Sequence, residues 1–109
     1  MALRKNLAAT KLSSEAVMQQ AMRWVIEHLA SSFCAGEPQE VATENVWRVP
    51  VLLAYPFMVV GEVGELWIDG VSGKVLRRTS IQKMKAAARR LGKQHDADIQ
   101  AAFIQARDS

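Results

Sequence analysis

The sequence contains very few of the residues from which catalytic and metal sites are built. Its 109 residues include one cysteine and two histidines, and one cysteine excludes an internal disulfide. We expect Cys34 to be an ordinary thiol in a reducing cytoplasm. No apolar run approaches the roughly 20 residues of a membrane span, and MALRKNLAATKL lacks the apolar segment of a signal peptide. We therefore expect a soluble cytoplasmic protein without membrane contact.

Motifs for catalysis, metal binding and cofactor binding are also missing. General acid-base catalysis needs two titratable groups whose surroundings push their pKa values apart, and the carboxylates here follow no such pattern. His95-x-x-Asp98 is the nearest approach to a ligand pair, but it lies near the chain's end and has no repeated spacing around it. No strand is followed by a glycine-rich turn and a helix. The sequence therefore predicts no enzyme, no catalytic residue, no metal site and no cofactor.

The first long periodic segment, SEAVMQQAMRWVIEHLAS, predicts an amphipathic helix with Ser13 as its N-cap. Its wide apolar arc is typical of a helix that packs on a sheet. Because His28 falls within that arc, we expect it to be a core or boundary residue with a hydrogen-bonded ring. Gly36 and Pro38 supply the terminators, so the helix is expected to stop near residues 34–38.

Beyond Val41 the apolar period changes to two, which predicts strands. NVWRVPVLLAY alternates apolar residues, and Pro50 within it indicates an edge strand, a bulge or a break, because proline cannot donate to a ladder. A second strand follows as MVVGEVGELWID, in which Gly61 and Gly64 mark a bulge or a bend around a neighbour. KVLRR predicts a third strand. We expect Trp24, Val25, Leu29, Trp47, Val49, Leu66 and Ile68 to form the core.

The segment GELWIDGVSGKVL raises the choice between a ligand loop and a hairpin. A phosphate loop would need more glycine, a Lys-Ser/Thr pair and a following helix, and a calcium loop would need more carboxylates at alternate positions. Asp69 and Gly73 instead match the needs of a tight turn between two strands. We therefore predict a hairpin.

The helix, the strand with Trp47-x-Val49 and the hairpin from Ile68 to Leu76 together resemble the PepSY-like group of small cystatin-like domains. The resemblance covers roughly residues 13–78, with Ser72 and Gly70 standing where Thr and Ala are commoner. It implies a non-enzymatic inhibitory or regulatory module. Many members of the group are secreted, and this chain departs from them by lacking a signal.

We accordingly predict an α+β fold in which an N-terminal helix packs on a three- or four-stranded antiparallel sheet, followed by one or two C-terminal helices. Residues 1–78 form the helix-plus-sheet body, and residues 79–109 form a helical arm of the same single domain. Thr79 or Ser80 can cap the helix IQKMKAAARRL, and Thr79-x-x-Gln82 fits a capping box. Its apolar stripe is narrow and consists of Ile81, Met84, Ala88 and Leu91. Gly92 allows a break, and Asp96 can cap a last helix. Ile99, Phe103 and Ile104 are the expected anchors of that last helix.

The charges are strongly segregated along the chain. Residues 27–73 carry seven acidic groups against Arg48 alone, a sum of −6, whereas residues 74–93 carry eight basic groups and no acid, a sum of +8. Such a basic block is typical of a solvated face, of a surface that pairs with acidic residues of the same or a second chain, or of a phosphate-binding surface. The residues predicted to bind a partner are Arg77, Arg78, Lys83, Lys85, Arg89, Arg90 and Lys93.

Three functional hypotheses follow. The first is a non-catalytic protein-interaction module, which binds an acidic protein surface or associates with itself as a homodimer through charge and a free strand edge. The second is an antitoxin-like regulator whose weakly anchored basic arm covers a nuclease toxin. The third is a nucleic-acid-binding protein, which the charge favours and the lack of interleaved aromatic residues opposes.

Overall fold

The computed structural model describes residues 10–108 and confirms the predicted α+β fold. Most of the N-terminal stretch in which no signal peptide is expected lies outside the described residues. Within these described residues, three helices and five strands follow one another. They are α1 (Ser14–His28), β1 (Phe33–Ala35), β2 (Gln39–Val41), β3 (Val46–Tyr55), β4 (Met58–Asp69), β5 (Val75–Arg78), α2 (Ile81–Gln94) and α3 (Asp96–Asp108).

The five strands form one antiparallel sheet with four positions across it. β1 and β2 both pair with the same side of β3, at Cys34↔Leu52 and Glu40↔Trp47 respectively, and β4 and β5 follow on the other side. Sequence periodicity did not predict β1 and β2, because a strand of three residues is too short to show an alternating apolar pattern. Short edge strands such as these also expose few unpaired backbone groups.

Pro50 does not mark an edge strand, because β3 lies between β1/β2 and β4. Its carbonyl accepts a hydrogen bond from Gly36 N at 2.7 Å. The N and C=O of an antiparallel strand residue point to the same side, so the missing N–H faces the interruption between β1 and β2 and not the continuous ladder with β4. The register shift between Val51 and Leu52 leaves Val63 of β4 as the extra residue, so the nearest irregularity belongs to β4 and not to Pro50.

α1 packs on one face of the sheet. Ser13 caps it as predicted, accepting from Ala16 N, and Val17, Ala21 and Val25 are its buried residues. The helix ends at His28, earlier than predicted, and the chain through residues 33–35 pairs with β3 instead of continuing the helix. The core cluster combines these side chains with the inward residues of the sheet and one of α2. Its buried members include Val49, Val51, Leu53, Leu66, Ile68 and Met84.

Two aspects of the expected core differ. Trp24, Leu29 and Trp47 are only partly buried and pack against its margin. His28 is exposed, because its ring lies back over the preceding turn and stacks on Trp24 with centroids 4.4 Å apart. The expected hydrogen bond of that ring is present, with Nδ1 2.8 Å from Trp24 O.

The β4–β5 connection is the predicted hairpin. The Asp69 carboxylate accepts from the backbone N–H of Val71 at 3.0 Å and of Ser72 at 2.6 Å, and these bonds keep the pKa of Asp69 below its ordinary value. Gly73 has a φ of 77°, a conformation that favours glycine. The carboxylate is thus occupied by its own turn.

Gly61 and Gly64 allow α2 to approach β4 closely, which agrees with the prediction that these glycines accommodate a neighbouring element. A Cβ on Gly61 would lie 3.2 Å from Leu91 Cδ1, and one on Gly64 would lie 2.8 Å from Met84 Cγ. Met84 is fully buried, so the first helix of the C-terminal arm belongs to the core cluster. The register shifts of the β3–β4 ladder lie in the same region.

The caps of α2 settle two further expectations. Ser80 is the N-cap, accepting from Lys83 N, so the Thr79 capping box is wrong and the Ser80 alternative is right. Thr79 Oγ1 instead accepts from Glu65 N at 3.0 Å. Gly92 does not break the helix, which continues to Gln94 before His95 caps it.

α3 attaches to the body through a small apolar contact. Ile99 is buried, and Phe103 makes edge contacts with Tyr55 and Phe57 at centroid distances of 5.6 and 5.0 Å. Phe103 and Ile104 remain 43% and 50% exposed, so Ile99 is the stronger anchor. No helix within the described residues is long and apolar enough to cross a membrane.

Candidate functional site

The seven predicted partner-binding residues fall into two groups. Arg77 and Arg78 belong to β5, and the other five belong to α2. All seven are exposed, and none is ion-paired with a carboxylate between residues 10 and 107. The structure therefore places the predicted residues on two neighbouring elements.

The five cations of α2 form a continuous strip, called the basic band here. At 100° per residue they cover about 160° of the helix, centred opposite Met84. Three of them, with Ala86, line a shallow depression of about 240 Å³. The band consists of Lys83, Lys85, Arg89, Arg90 and Lys93.

Burial of Met84 fixes this helix on the sheet, so the band is displayed by a docked element. Met84, Ala88 and Leu91 of the predicted apolar stripe contact the core, together with Ala87, which the prediction omitted. Ile81 is only partly buried. The outward charges can change partners without disturbing these contacts.

Arg77 and Arg78 point to opposite faces of the sheet. The Arg77 guanidinium lies 4.9 Å from the centroid of the Trp67 ring, on the face that no helix of residues 10–108 covers. Arg78 lies 5.6 Å from the Trp24 ring on the face that carries α1. We call these contacts the two arginine–tryptophan pairs. Each is a cation–π arrangement, which holds the long arginine side chain while leaving its N–H donors free.

The open face of the sheet carries a polar network that the sequence did not predict. Arg48 Nε donates to Glu65 Oε1 at 2.8 Å, and its Nη2 donates to Glu62 Oε2 at 2.7 Å. Trp67 Nε1 donates to the other oxygen of Glu65. In the sequence, Arg48 stood out only as the single base of an acidic segment. Two register shifts in the β3–β4 ladder mean that its partners on β4 cannot be identified by counting residues from the turn between the strands.

These contacts set the charge states of the network. The Trp67 hydrogen bond, followed by that from Arg48, holds the pKa of Glu65 below its ordinary value against the effect of burial. Burial disfavours the charged form of Arg48, but the hydrogen bonds and charges of Glu65 and Glu62 together raise its pKa above the ordinary value. Both carboxylate oxygens of Glu65 thus accept hydrogen bonds, one from Arg48 and one from Trp67. This network links β3 to β4.

The remaining titratable and nucleophilic groups are dispersed. Cys34 is partly buried, and burial raises the pKa of its thiol, which disfavours the nucleophilic thiolate. His95 Nδ1 lies 3.5 Å from Asp98 Oδ2 at the start of α3, with both side chains well exposed. In the part of the chain that the structure describes, no three His, Cys, Asp or Glu side chains come together as a metal site.

An acidic surface lies at the opposite edge of the sheet from β5. Glu37, Glu40 and Glu44 are exposed on and around β2, and no cation pairs with them within the described range. The charge segregation seen along the sequence is therefore preserved in space, with acid near β2 and base on β5 and α2. The described fold does not neutralise one with the other.

A shallow apolar cleft of about 420 Å³ lies beside α3, between Phe57 and the exposed side of Phe103 and Ile104. The polar side chains of its lining are the Arg107 guanidinium and the Gln100 amide. The cleft therefore offers surface for contact but no arrangement for chemistry.

Comparison of this chain with models of known families, with curated proteins and with solved structures gives no match.

Proposed function

We propose that this chain is a non-catalytic protein-interaction module whose basic band binds an acidic protein surface. One observation carries the proposal: five cations share the solvent side of a helix whose other side is fixed by Met84 at 0% exposure. None of the five is neutralised by a described carboxylate. A docked helix presents its charges with little further ordering of backbone, which lowers the cost of binding.

Charge complementarity also explains what such a surface would contribute. Opposite charges steer encounter and exclude wrong partners more than they add to final affinity. The apolar contribution would come from aliphatic stems of the long side chains and from Ala86 in the depression. Binding is therefore expected to weaken as salt rises.

The same charges could bind phosphates, so nucleic acid is the competing ligand. Single-stranded nucleic acids are usually held by aromatic stacking as well as charge. The depression on the band is lined only by Ala86, Arg89, Arg90 and Lys93. The described surroundings of the band thus favour a protein ligand.

The antitoxin-like alternative assumed a weakly anchored arm. Met84 is buried and α2 packs on β4, so that description now fits α3 alone, with its half-exposed Phe103 and Ile104. The alternative stays a prediction, as does membership of the PepSY-like group. The helix-then-sheet order and the Asp69 turn support that membership.

A second copy of the chain is one acidic partner that would satisfy the band. Glu37, Glu40 and Glu44 offer it an acidic surface with which no described cation pairs, and this supports the predicted homodimer. Sedimentation at tens of micromolar in low salt should show a dimer that dissociates in high salt. Substituting all three glutamates by glutamine should abolish it, and a monomer in low salt would remove the homodimer from the proposal.

The main experiment compares two charge-reversal variants with equal change in net charge. Arg89→Glu with Lys93→Glu alters the band, whereas Lys11→Glu with Arg107→Glu alters exposed positions elsewhere. Tagged proteins are used to capture partners from lysate of the source cell, with and without nuclease. The proposal requires protein capture that survives nuclease and is lost only in the band variant.

Two results would contradict the proposal. Capture that disappears with nuclease would identify nucleic acid as the ligand. Equal capture by both variants would show that the band is an ordinary solvated face. Circular dichroism on both variants confirms that each remains folded.

A further inference from the structure

β5 forms a free edge of the sheet. The strand order ends at β5, and no described strand pairs with its outer side. An edge strand exposes unpaired N–H and C=O groups, and an extended peptide can bind them as an added strand. In that mode the main chain supplies affinity, while pockets on the two faces select alternate side chains.

A pocket flanks β5 on each face. On the α1 side, a groove of about 460 Å³ has Arg23, Trp24, Lys74 and Val75 among its lining residues. On the open face, a smaller depression of about 200 Å³ is lined by Glu65, Trp67, Arg77, Arg78 and Thr79. Successive side chains of an added strand point to opposite faces, so they would enter the two pockets alternately.

The open-face depression contains the Arg77–Trp67 pair, and of the other pair only Trp24 lines the α1-side groove. The Arg77 guanidinium lies over the Trp67 ring at 4.9 Å, and that of Arg78 over the Trp24 ring at 5.6 Å. A cation–π contact of this kind holds the guanidinium but leaves its N–H donors available to a carboxylate. The tryptophan rings supply apolar walls for the methylene groups of a bound acidic side chain.

The charge of the edge selects the partner. Lys74, Arg77 and Arg78 are exposed, and the nearest carboxylate on the open face, Glu65, is already held by Arg48 and Trp67. The α1-side groove also holds the exposed Glu27, whose single charge is outnumbered by the cations there. Two β5 edges in antiparallel contact would bring arginines against arginines, which is unfavourable. An extended acidic segment therefore matches the positive charge of the β5 edge.

We propose that the outer edge of β5 binds an extended acidic segment of a partner protein as an added strand, with adjacent acidic side chains at Arg77 and Arg78. This inference rests on the proposed function as an interaction module and assigns it a second contact, separate from the basic band. Leu76, the extra residue at the register shift of β5, is 53% exposed and supplies an apolar contact next to Arg77. The strand covers four residues, so the recognised segment is short.

The test uses the full chain and short fluorescein-labelled peptides of glutamate, valine and threonine with adjacent glutamates at the centre. Binding is followed by fluorescence anisotropy at physiological salt. One control peptide has the same sequence with alternate backbone nitrogens methylated, which removes main-chain donors and keeps the charge. A second control replaces glutamate by glutamine.

We expect the acidic peptide to bind, and each control peptide to bind at least about tenfold more weakly, as expected from the loss of charge-assisted or main-chain hydrogen bonds. Arg77→Gln and Arg78→Gln should each weaken binding by a similar factor. The Arg89→Glu and Lys93→Glu variant should retain most of it, because those charges lie on α2. Thermal unfolding by circular dichroism checks that each variant is folded.

Failure of this inference can be distinguished from failure of the proposed function. Equal binding of the methylated and unmethylated peptides would show charge attraction without strand addition and would overturn the inference. So would peptide binding lost only in the α2 variant, although that result would support the band. Absence of peptide binding would also overturn it, while self-association abolished by Arg77→Gln would identify a second copy as the occupant.

Discussion

Met84 lies directly over Gly64. A Cβ on this glycine would come within 2.8 Å of Met84 Cγ and 2.9 Å of Thr79 Cβ, closer than side chains tolerate. The absence of a side chain at Gly64 is what lets α2 seat on β4 and so positions the basic band.

The first prediction is that Gly64→Ala destabilises the protein. The added methyl group must displace both α2 and the chain at Thr79, and overpacking of this kind costs about 1–3 kcal/mol. Urea unfolding measures the change. Gly92→Ala is the control, because nothing lies within 4 Å of its Cβ and alanine favours a helix. A Gly64→Ala variant as stable as Gly92→Ala would contradict the close contact.

The second prediction separates the two sides of α2. Met84→Ala removes a fully buried side chain, and such truncations cost about 2–5 kcal/mol. Arg89→Ala on the exposed side should change stability by less than about 0.5 kcal/mol. Thermal unfolding of both variants provides the comparison. Equal losses would argue against α2 as part of the core, as would unchanged stability after deletion of residues 79–109.

A third prediction concerns the hairpin. Gly73 has a φ of 77°, which a β-branched residue adopts at high cost, whereas asparagine tolerates it better. Gly73→Val should therefore destabilise by about 1–3 kcal/mol, and Gly73→Asn by clearly less. Leu12 Cδ1 lies 3.2 Å from the position of any Cβ and adds a penalty common to both variants. Equal melting temperatures for the two would show that the backbone conformation is not limiting.

The fourth prediction is a loss of stability in acid that involves Glu65 and Asp69. Hydrogen bonds from Trp67 to Glu65, and from Ser72 and Val71 to Asp69, hold both pKa values below the ordinary range. A carboxyl with a lowered pKa stabilises the fold above its unfolded pKa, and this contribution is lost as pH falls through its folded pKa. The free energy of unfolding should therefore fall as the pH drops through the ordinary carboxyl pKa of about 4 and below it.

Urea titrations at several pH values measure this dependence. Glu65→Gln and Asp69→Asn should each reduce the loss of stability on acidification, because neither replacement titrates. Glu15→Gln serves as a control at an exposed position with no described ion pair. If both test variants showed the same pH dependence as the control, the two carboxylates would not be responsible.

Sequence patterns located the long elements, because their periods are set by local geometry. α1 with its Ser13 cap, the alternation of β3, the extent of β4 and the Asp69 turn all follow from side-chain spacing and turn chemistry. The predictions failed where the local signal was weak or ambiguous. β1 and β2 are too short to show a period, and Pro50 lies in a central strand because its missing donor faces the interruption between those strands.

The candidate site shows the same division. Its charges could be named from the sequence, because exposed lysine and arginine are the ordinary outer face of an amphipathic helix. Which charges share a surface depended on the strand pleat, which sends Arg77 to Trp67 and Arg78 to Trp24 on opposite faces. Nothing local to β5 indicates either tryptophan, since both lie on other elements.

The sequence by itself determined the fold class, the hairpin and the segregation of charge, since these depend on composition, period and turn residues. Only the tertiary structure decided that the first helix of the C-terminal arm docks, since that requires two bare glycine positions on β4 to meet Met84 and Leu91. It also decided that Arg48 is bound by Glu62 and Glu65. Those contacts join residues 14 or more positions apart, and the register shifts that align them arise from packing of the whole sheet.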